Sequence, residues 1–330
     1  MASLADKTAV AAVPGLRALP FTLALIAIAA VIFAIGRWYN NSYAFFMGYV
    51  VVQYIVLGTA WNILGGYTGY VNFGSAGFFA IGVYTSVVIY KTLQLPILLT
   101  IPIAAVAAGL VGLGTGYLTL RLRGVFFSIA TLALAVVLNT LVVNWEFVGG
   151  SSGAYVIRPA EFPYLGSYMS YLFGLMLLLA VAALAVARHI ERSRLGLGFA
   201  SIRDDELAAE AAGVPTLRLK LVATTLSGAF MGMAGAPLPY FLGFVQPQSA
   251  FGLEYAVNSI AMPMIGGTLS WIGPLVGAIL LGTLQQVANV TISSAVNLLI
   301  VGLLLIFFVI VAPNGIVGLV QDWMRARRTR

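Results

Sequence analysis

Long apolar blocks, separated by short polar segments, run along almost the whole chain. Each block is continuous rather than alternating, and most approach the roughly 20 residues that a helix needs to cross a bilayer. Backbone groups in lipid must form their hydrogen bonds within the protein, which only helices and closed barrels allow. Barrel strands alternate apolar and polar residues, so continuous apolar blocks favour helices. The pattern predicts an all-α polytopic membrane protein with about ten transmembrane helices. The predicted spans are residues 19–36, 44–64, 73–90, 97–120, 126–144, 171–187, 221–240, 255–265 (short, and broken or re-entrant), 275–290 and 296–311.

The basic residues fall mostly in alternate loops between these spans. With the N-terminus in the cytoplasm, all 17 lysines and arginines except Arg37, Lys91 and Arg158 lie on the cytoplasmic side. Because positive charge is retained on that side, the bias predicts that both termini are cytoplasmic. The predicted division is a cytoplasmic N-terminal segment (1–18), a transmembrane domain (19–312) with an external loop (145–170) and a cytoplasmic loop (188–220), and a basic cytoplasmic tail (313–330).

The composition excludes a soluble fold and several kinds of site. Hydrophobic residues make up 61% of the chain and charged residues 8%, with a mean hydropathy of +1.01, whereas a soluble domain carries roughly 25% charged residues. Cysteine is absent, which excludes disulfides and thiolate metal sites. The net charge of +7 does not indicate nucleic-acid binding, because the basic residues flank apolar blocks as the charge bias of a membrane protein requires.

The ionisable residues also restrict the mechanism. None of the ten acidic residues lies in the middle of a predicted span, which disfavours a carrier coupled to protons or sodium, although carbonyls of broken helices can also hold sodium. No lysine follows a glycine as in a phosphate-binding loop, so ATP would have to bind another subunit. A lone His189 and the lack of a base near any serine leave no metal site and no catalytic group. A stand-alone secondary transporter or channel for a small polar solute stays open as the alternative.

The cytoplasmic loop contains a predicted short helix outside the membrane. Ser201 is a good N-cap, Asp204 follows near the helix start, and Gly213 before Pro215 ends the helix. A helix this short is marginal alone, so it either connects two spans as a solvated loop or gains stability from a partner that covers its apolar face. The predicted apolar face consists of Ile202, Leu207, Ala208, Ala211 and Ala212, and the charged positions are Arg203, Asp205, Glu206 and Glu210.

Polar residues and glycines inside the spans are the remaining candidates. Because polar groups avoid lipid, each polar residue either lines a solute path or forms a hydrogen bond between helices. The glycines predict close helix packing and local bending. The candidate path residues are Asn62, Asn72, Ser75 and Asn258. The candidate structural glycines are Gly65, Gly66, Gly69, Gly74, Gly77, Gly266, Gly267 and Gly273.

Five blocks, in order, resemble those of LivM-type permeases of branched-chain amino acid ABC importers. They are GGYTGYVNFGSAGFFAIGVYT (65–85), RLRGVFFSIATLA (121–133), RLGLGFASIRDDELAAEAAG (194–213), IGGTLSWIGPLVGA (265–278) and PNGI (313–316). Ser75 departs from the pattern, since many members carry histidine there. The resemblance therefore implies a solute class that includes branched-chain amino acids, other amino acids, urea and amides.

The resemblance also implies a set of partners. The chain would be a permease subunit of the bacterial cytoplasmic (inner) membrane, without enzyme activity, cofactor, metal or nucleic acid of its own. A LivH-like permease would pair with it within the lipid, two P-loop ATPase subunits would bind ATP and Mg, and an external binding protein would deliver the solute. ATP-driven closure would then rock the spans in alternating access. The cytoplasmic helix would be the ATPase-coupling element, through Ser201, Ile202, Arg203, Asp204, Asp205, Glu206, Leu207, Glu210 and Gly213.

Overall fold

A computed structural model describes residues 19–39, 41–119, 122, 124–157, 161–162, 166–291, 294–312 and 315–328. The predicted N-terminal segment 1–18 lies outside the described residues, as do positions 313–314 and 329–330 of the predicted tail. The helices are α1 (Leu19–Tyr39), α2 (Ser42–Thr68), α3 (Ser75–Thr92), α4 (Ile97–Thr119), α5 (Val125–Val143), α6 (Tyr168–Glu191), α7 (Arg194–Asp204), α8 (Glu206–Ala211), α9 (Thr216–Gly235), α10 (Leu238–Leu242), α11 (Pro247–Ala250), α12 (Leu253–Gly266), α13 (Ile272–Thr291), α14 (Ser294–Val311) and α15 (Gly315–Arg328).

Among the described residues, seven helical stretches are long and apolar enough to cross a membrane. They are α1 from Pro20, α2, α4, α5, α6, the stretch Thr216–Leu242 and α13 to Val290. The chain is therefore an all-α polytopic membrane protein, as predicted. Helices α3, α12 and α14 coincide with the other three predicted spans, and the total of ten stays a prediction. Helix α12 has 14 residues, about 21 Å at 1.5 Å per residue, which is shorter than a bilayer core of about 30 Å.

Helix α2 forms the core of the bundle. Every residue from 52 to 68 is buried, and the helix packs against α6, α9, α12 and α13. A helix that is apolar and buried on all sides has no stripe left for lipid. Helix α5 is the opposite case, since only Phe127, Thr131 and Ala135 are buried within the chain. The outer face of α5 is therefore available to lipid or to another subunit.

Small residues let α3, α4 and α9 approach each other closely. A Cβ atom added to Gly82 of α3 would lie 2.0 Å from the carbonyl oxygen of Gly232 in α9, and one on Gly235 would lie 2.1 Å from that of Phe79. A Cβ atom on Gly232 would lie 2.4 Å from the Cβ of Ala108 in α4. Such backbone-to-backbone packing is typical of membrane helices, which gain little from burying apolar side chains out of lipid.

One end of the bundle carries a small cap, which we call the cap end. Strand β1 (Ala154–Tyr155) pairs antiparallel with β4 (Phe244–Val245), and β2 (Glu161–Phe162) pairs with β3 (Gly166–Ser167). The Lys91 ammonium donates to the carbonyl oxygen of Phe147 at 2.9 Å, which ties the α3–α4 turn to the cap. The predicted loop 145–170 thus contains strands of two residues each. Strands this short leave no recognisable pattern in the sequence.

The opposite end holds α7 and α8, and we call it the α8 end. The Trp271 amide donates to the Glu191 carboxylate at 2.8 Å, which joins the α12–α13 turn to the end of α6. The Arg188 guanidinium lies 3.5 Å from the centre of the Phe21 ring, which in turn packs edge-on against Trp271. The start of α1, the end of α6 and the α12–α13 turn are therefore neighbours.

Candidate functional site

The segment at the α8 end is two helices rather than one. Ser193 caps α7 by accepting from the Leu195 amide at 3.2 Å. Asp205 is extended, at φ −160° and ψ 107°, and caps α8 by accepting from the amides of Leu207 at 2.9 Å and Ala208 at 3.1 Å. The prediction that Ser201 caps this helix is therefore wrong. Ser201 lies inside α7, where its hydroxyl donates to the Gly198 carbonyl at 2.8 Å.

The physical reason is competition between two good N-caps, because aspartate caps a helix as well as serine does. The chain starts a helix earlier, at Ser193, and uses Asp205 to begin the next one. The predicted end is correct, since Gly213 follows α8 at φ +83°, a left-handed conformation that favours glycine. The result is a six-residue helix held by a cap at its start and a glycine at its end.

The side chains of this segment divide into an inner and an outer group. Ile202, predicted on the apolar docking face, is 3% exposed and packs within its own chain. Leu207 is 63% exposed. We define the α8 face as the exposed residues Leu207, Ala208, Ala211 and Ala212, which are flanked by the exposed Asp204, Asp205 and Glu210.

Arg203 fixes α7 against the end of α2. Its guanidinium pairs with the Asp204 carboxylate at 3.1 Å. A Cβ atom on Gly69 would lie 3.2 Å from the Cγ of Arg203, so the arginine stem passes directly over that glycine. Gly69 is the C-cap of α2 at φ +77°, which explains why a glycine ends that helix.

Glu206 points inward, toward a buried lysine. The Glu206 carboxylate lies 2.7 Å from the ammonium of Lys220, whose side chain is 4% exposed. The Tyr70 hydroxyl donates to the same carboxylate and accepts from the Lys220 ammonium at 3.1 Å. We call Glu206, Lys220 and Tyr70 the Glu206 cluster. The distribution of basic residues predicts only that Lys220 lies on the cytoplasmic side, in the loop 188–220, so its burial is a finding of the structure.

A second group of polar side chains lies inside the bundle, between α2, α12 and α13. The Asn258 amide donates to the Tyr54 hydroxyl at 3.2 Å, and Gln285 donates to the Asn258 oxygen at 2.8 Å. The Tyr54 hydroxyl donates to the Glu254 carboxylate at 3.4 Å. This polar row thus runs from Glu254, at the start of α12, to Gln285. Gln285 is fully buried, and its side-chain oxygen has no hydrogen-bond partner in the part of the chain that the structure describes.

The other candidate path residues have separate partners. Ser75 and Ser259 share a hydrogen bond of 2.7 Å between α3 and α12. The Asn72 side chain accepts from the Gly74 amide at 2.8 Å and so shapes the turn before α3. Asn62 is 1% exposed, and neither its side-chain oxygen nor its nitrogen has a hydrogen-bond partner among the described residues.

Asn258 was a candidate from the sequence, and its place on the solute path stays a prediction; its partners Tyr54 and Gln285 were not singled out. A signal for Gln285 was present, because two adjacent glutamines interrupt the apolar block 275–290. Tyr54 gave none, because a tyrosine in an apolar helix is usually core or interface.

The candidate glycines leave little room for a side chain, and two of them lie against backbone where α12 meets α13. A Cβ atom on Gly266 would lie 1.7 Å from the Gly273 carbonyl oxygen, and one on Gly273 would lie 1.7 Å from that of Gly267. These contacts bring α12 and α13 together around their connecting turn. Similar added atoms would lie 2.4 Å from the Trp61 ring for Gly65, 1.9 Å from the Asn62 oxygen for Gly66, 2.4 Å from the Thr131 carbonyl for Gly74, and 3.3 Å from the Ala135 Cα for Gly77.

Comparison with known proteins assigns most of the bundle, from α2 to α14, to one family model. Residues 42–309 match the model described as "Branched-chain amino acid transport system / permease component". The permease LivM of a high-affinity branched-chain amino acid transport system from Escherichia coli (strain K12) is 29% identical over 83% of this chain and 70% of its own.

More distant matches include a probable branched-chain amino acid transport permease, LivH of Methanocaldococcus jannaschii, which is 23% identical over 78% of this chain and 85% of its own. An L-arabinose ABC transporter permease, AraH of Azospirillum brasilense, is 28% identical over 62% of this chain and 60% of its own. No solved structure matches the chain. The matched region includes α7, α8 and the polar row.

Proposed function

The chain belongs to the family of branched-chain amino acid transport permeases and is a LivM-type permease subunit of an ABC importer, and from this premise we propose its solute, partners and orientation. The protein is a multi-pass protein of the inner membrane. We propose that it moves branched-chain amino acids or a related small polar solute such as another amino acid, urea or an amide. The observation that carries this proposal is the family match across residues 42–309.

The proposed solute class can be tested by competition. Uptake of labelled leucine should be reduced by unlabelled isoleucine and valine more than by urea or acetamide at equal concentration. Stronger inhibition by urea or acetamide than by isoleucine and valine would indicate that the solute is urea or an amide. The uptake system should contain the external binding protein that delivers the solute, because the permease itself needs only a weak site.

We propose that four partner subunits of three kinds surround this chain in function. A LivH-like permease pairs with it, two P-loop ATPase subunits bind ATP and Mg, and a binding protein delivers the solute at the cap end. The relatives named LivM and LivH support a paired permease. The chain offers no glycine–lysine pair for a phosphate-binding loop, which supports ATP binding by other subunits.

The α8 face is the proposed docking surface for an ATPase. It presents an exposed leucine and three alanines on a rigidly capped helix, with acidic side chains around them. A short apolar centre with a charged rim is typical of a protein interface. Since Ile202 is buried and Glu206 points inward, the residues that touch the ATPase are Leu207 and the alanines beside it.

The proposed orientation puts the cap end outside and the α8 end in the cytoplasm, with both termini inside. The contacts at each end support it, because Lys91–Phe147 joins two loops predicted outside and Trp271–Glu191 joins two predicted inside. The alternation of loops between the outside and the cytoplasm also supports ten spans. It supports the division into segment 1–18, domain 19–312 and tail 313–330 as well.

Cysteine labelling tests this orientation directly, because the chain has no cysteine of its own. Tyr155→Cys lies in β1, and Ala211→Cys lies on the α8 face; both positions are exposed. The chain is expressed without the ATPase subunits, so that the α8 face is uncovered. A membrane-impermeant maleimide should then label Tyr155→Cys in intact cells and Ala211→Cys only after permeabilisation. Labelling in the reverse order would contradict the proposed topology.

We propose that the solute path passes the polar row of Tyr54, Asn258 and Gln285. The free oxygen of Gln285 and the unsatisfied Asn62 provide buried groups with which a polar solute can exchange hydrogen bonds. Ser75 and Ser259 contribute hydroxyls between α3 and α12. The Asn72 side chain shapes the turn before α3, so it stabilises the structure around the path rather than lining the path.

Replacement of row residues should separate stability from transport. Asn258→Leu leaves the Gln285 amide without its acceptor, so we expect a loss of about 1–3 kcal/mol in the free energy of unfolding. Asn258→Leu with Gln285→Leu removes both partners and should recover much of that stability, because apolar pairs of similar shape are nearly neutral. Thermal unfolding and uptake of the assembled importer are measured together. Uptake should stay low in the double variant, and recovery of uptake along with stability would show that the row is only structural.

A further inference from the structure

Burial of Lys220 beneath the exposed helix α8 requires an explanation, because the chain has so few charged residues. The Lys220 side chain is 4% exposed and that of Glu206 is 12% exposed. Their atoms are 2.7 Å apart, and the Tyr70 hydroxyl contacts both. The ammonium also lies 4.8 Å from the centre of the Tyr70 ring. Because desolvation of two charges offsets most of their attraction, such a pair is weak evidence for stability and better suited to fixing a geometry.

The Glu206 cluster joins three elements that are distant in sequence. Glu206 belongs to α8, Lys220 to the first turns of α9, and Tyr70 to the turn between α2 and α3. The Tyr70 ring also packs edge-on against Phe127 near the start of α5, with ring centres 5.1 Å apart. Displacement of α8 therefore acts at once on α9, on the α2–α3 turn and on α5.

A second contact ties α8 to α9. The Thr216 hydroxyl donates to the Glu210 carboxylate at 2.7 Å, in the first turn of α9. With Glu206 at the start of α8 and Glu210 one turn later, the short helix is anchored at two points on its inner side. Its outer side, the α8 face, stays free for a partner.

We infer that the Glu206 cluster is a positioning joint that transmits movement of a docked ATPase from α8 to the transmembrane helices. The inference rests on the proposed docking of an ATPase at the α8 face. Glu206 and Lys220 do not touch the ATPase in this scheme; they hold α8 rigidly to the helices that must move. Coupling of this kind travels through packed and charge-paired contacts between rigid elements.

The test measures solute transported per ATP hydrolysed in proteoliposomes that contain the assembled importer. Glu206→Gln and Lys220→Met each leave a buried group without its charged partner. We expect both variants to bind and activate the ATPases while solute moved per ATP falls at least about tenfold. Lys220→Arg, which keeps the charge, should rescue most of the ratio. Arg218→Met is the control for Lys220→Met, because Arg218 is an exposed cation of the same helix α9 outside the Glu206 cluster. It should leave the ratio within about twofold of the wild type.

A crosslink keeps the inference testable where single variants fold poorly. Glu206→Cys with Lys220→Cys replaces the ion pair by two thiols, with partner subunits made cysteine-free. The reduced form should be uncoupled, and a short bifunctional thiol reagent that joins α8 to α9 should restore solute transport per ATP. A crosslinked form that stays uncoupled would show that α8 has to move relative to α9 and would overturn the joint.

The outcomes for the joint and for the proposed function differ. Wild-type chain that binds no ATPase would overturn both. Wild-type chain that is coupled, together with Glu206→Gln and Lys220→Met variants whose solute transport per ATP is unchanged, would overturn the joint alone.

Discussion

Leu207→Asp should prevent the ATPase subunits from binding to the permease. The side chain is 63% exposed at the centre of the α8 face, where a docked partner would bury it. Loss of a central anchor costs about 2 kcal/mol or more, roughly thirtyfold in affinity, and a buried unpaired carboxylate adds to that cost. Co-purification of the ATPases with the detergent-solubilised permease pair measures the effect. Uptake should fall with it.

Leu93→Asp is a matched control for this change. Leu93 is also 63% exposed, but it lies in the α3–α4 turn at the cap end. It should leave ATPase binding unchanged. Equal loss of ATPase binding in both variants would mean that the charge damages the fold in general, and normal binding by Leu207→Asp would contradict docking at the α8 face.

The structure makes Leu207 a better probe than the charged residues of the same segment. Arg203 packs over Gly69, Asp205 caps α8 and Glu206 pairs with Lys220. Replacement of all three together would remove the cap of α8 as well as its contacts with the bundle, so a loss of ATPase binding would not distinguish docking from local unfolding.

Gly266→Ala should prevent the bundle from folding. The added methyl group would lie 1.7 Å from the carbonyl oxygen of Gly273. Because this oxygen belongs to the backbone, no side-chain rotation can relieve the clash. Overpacking in a well-packed core typically costs 1–3 kcal/mol, and a clash with backbone should cost about 3 kcal/mol or more. Yield and thermal stability of the solubilised protein, followed by fluorescence-detected gel filtration, report the loss.

Gly114→Ala provides the same chemical change without the contact. Gly114 lies in α4, and no described residue has an atom within 4 Å of an added Cβ atom. Because alanine is the better helix former, this variant should be neutral or more stable by up to about 1 kcal/mol. Similar destabilisation of the two variants would contradict the close packing of α12 against α13.

The membrane architecture was predictable because it depends on long apolar blocks. Predicted span 44–64 coincides with α2, and span 126–144 matches α5 within one residue at each end. The contacts inside the bundle were less predictable. Gly266 and Gly273 were singled out, but Gly277, where an added Cβ would lie 1.8 Å from the Met262 carbonyl, gave no separate signal among 36 glycines. The backbone that a given glycine contacts depends on where and at what angle two helices cross. That geometry cannot be deduced from the residues around the glycine.

The same limit applies to the candidate site. The short helix at residues 201–213 was found from its alanines and its terminal glycine, but its start was wrong because Ser201 and Asp205 are both good caps. The positions of the basic residues predicted a side of the membrane for Lys220 and could not show that it is buried. Its partners Tyr70 and Glu206 are 150 and 14 residues away, and only the fold brings them together.

ATP-dependent uptake in proteoliposomes tests most directly whether this chain is the permease of an ABC importer. The vesicles contain the chain with its partner permease, two ATPase subunits inside and the external binding protein, and labelled leucine uptake is followed with and without ATP. Uptake should require ATP and every subunit, and it should be lost with Leu207→Asp. Undiminished uptake by the purified chain alone, without ATP, would contradict the importer and favour a stand-alone carrier or channel.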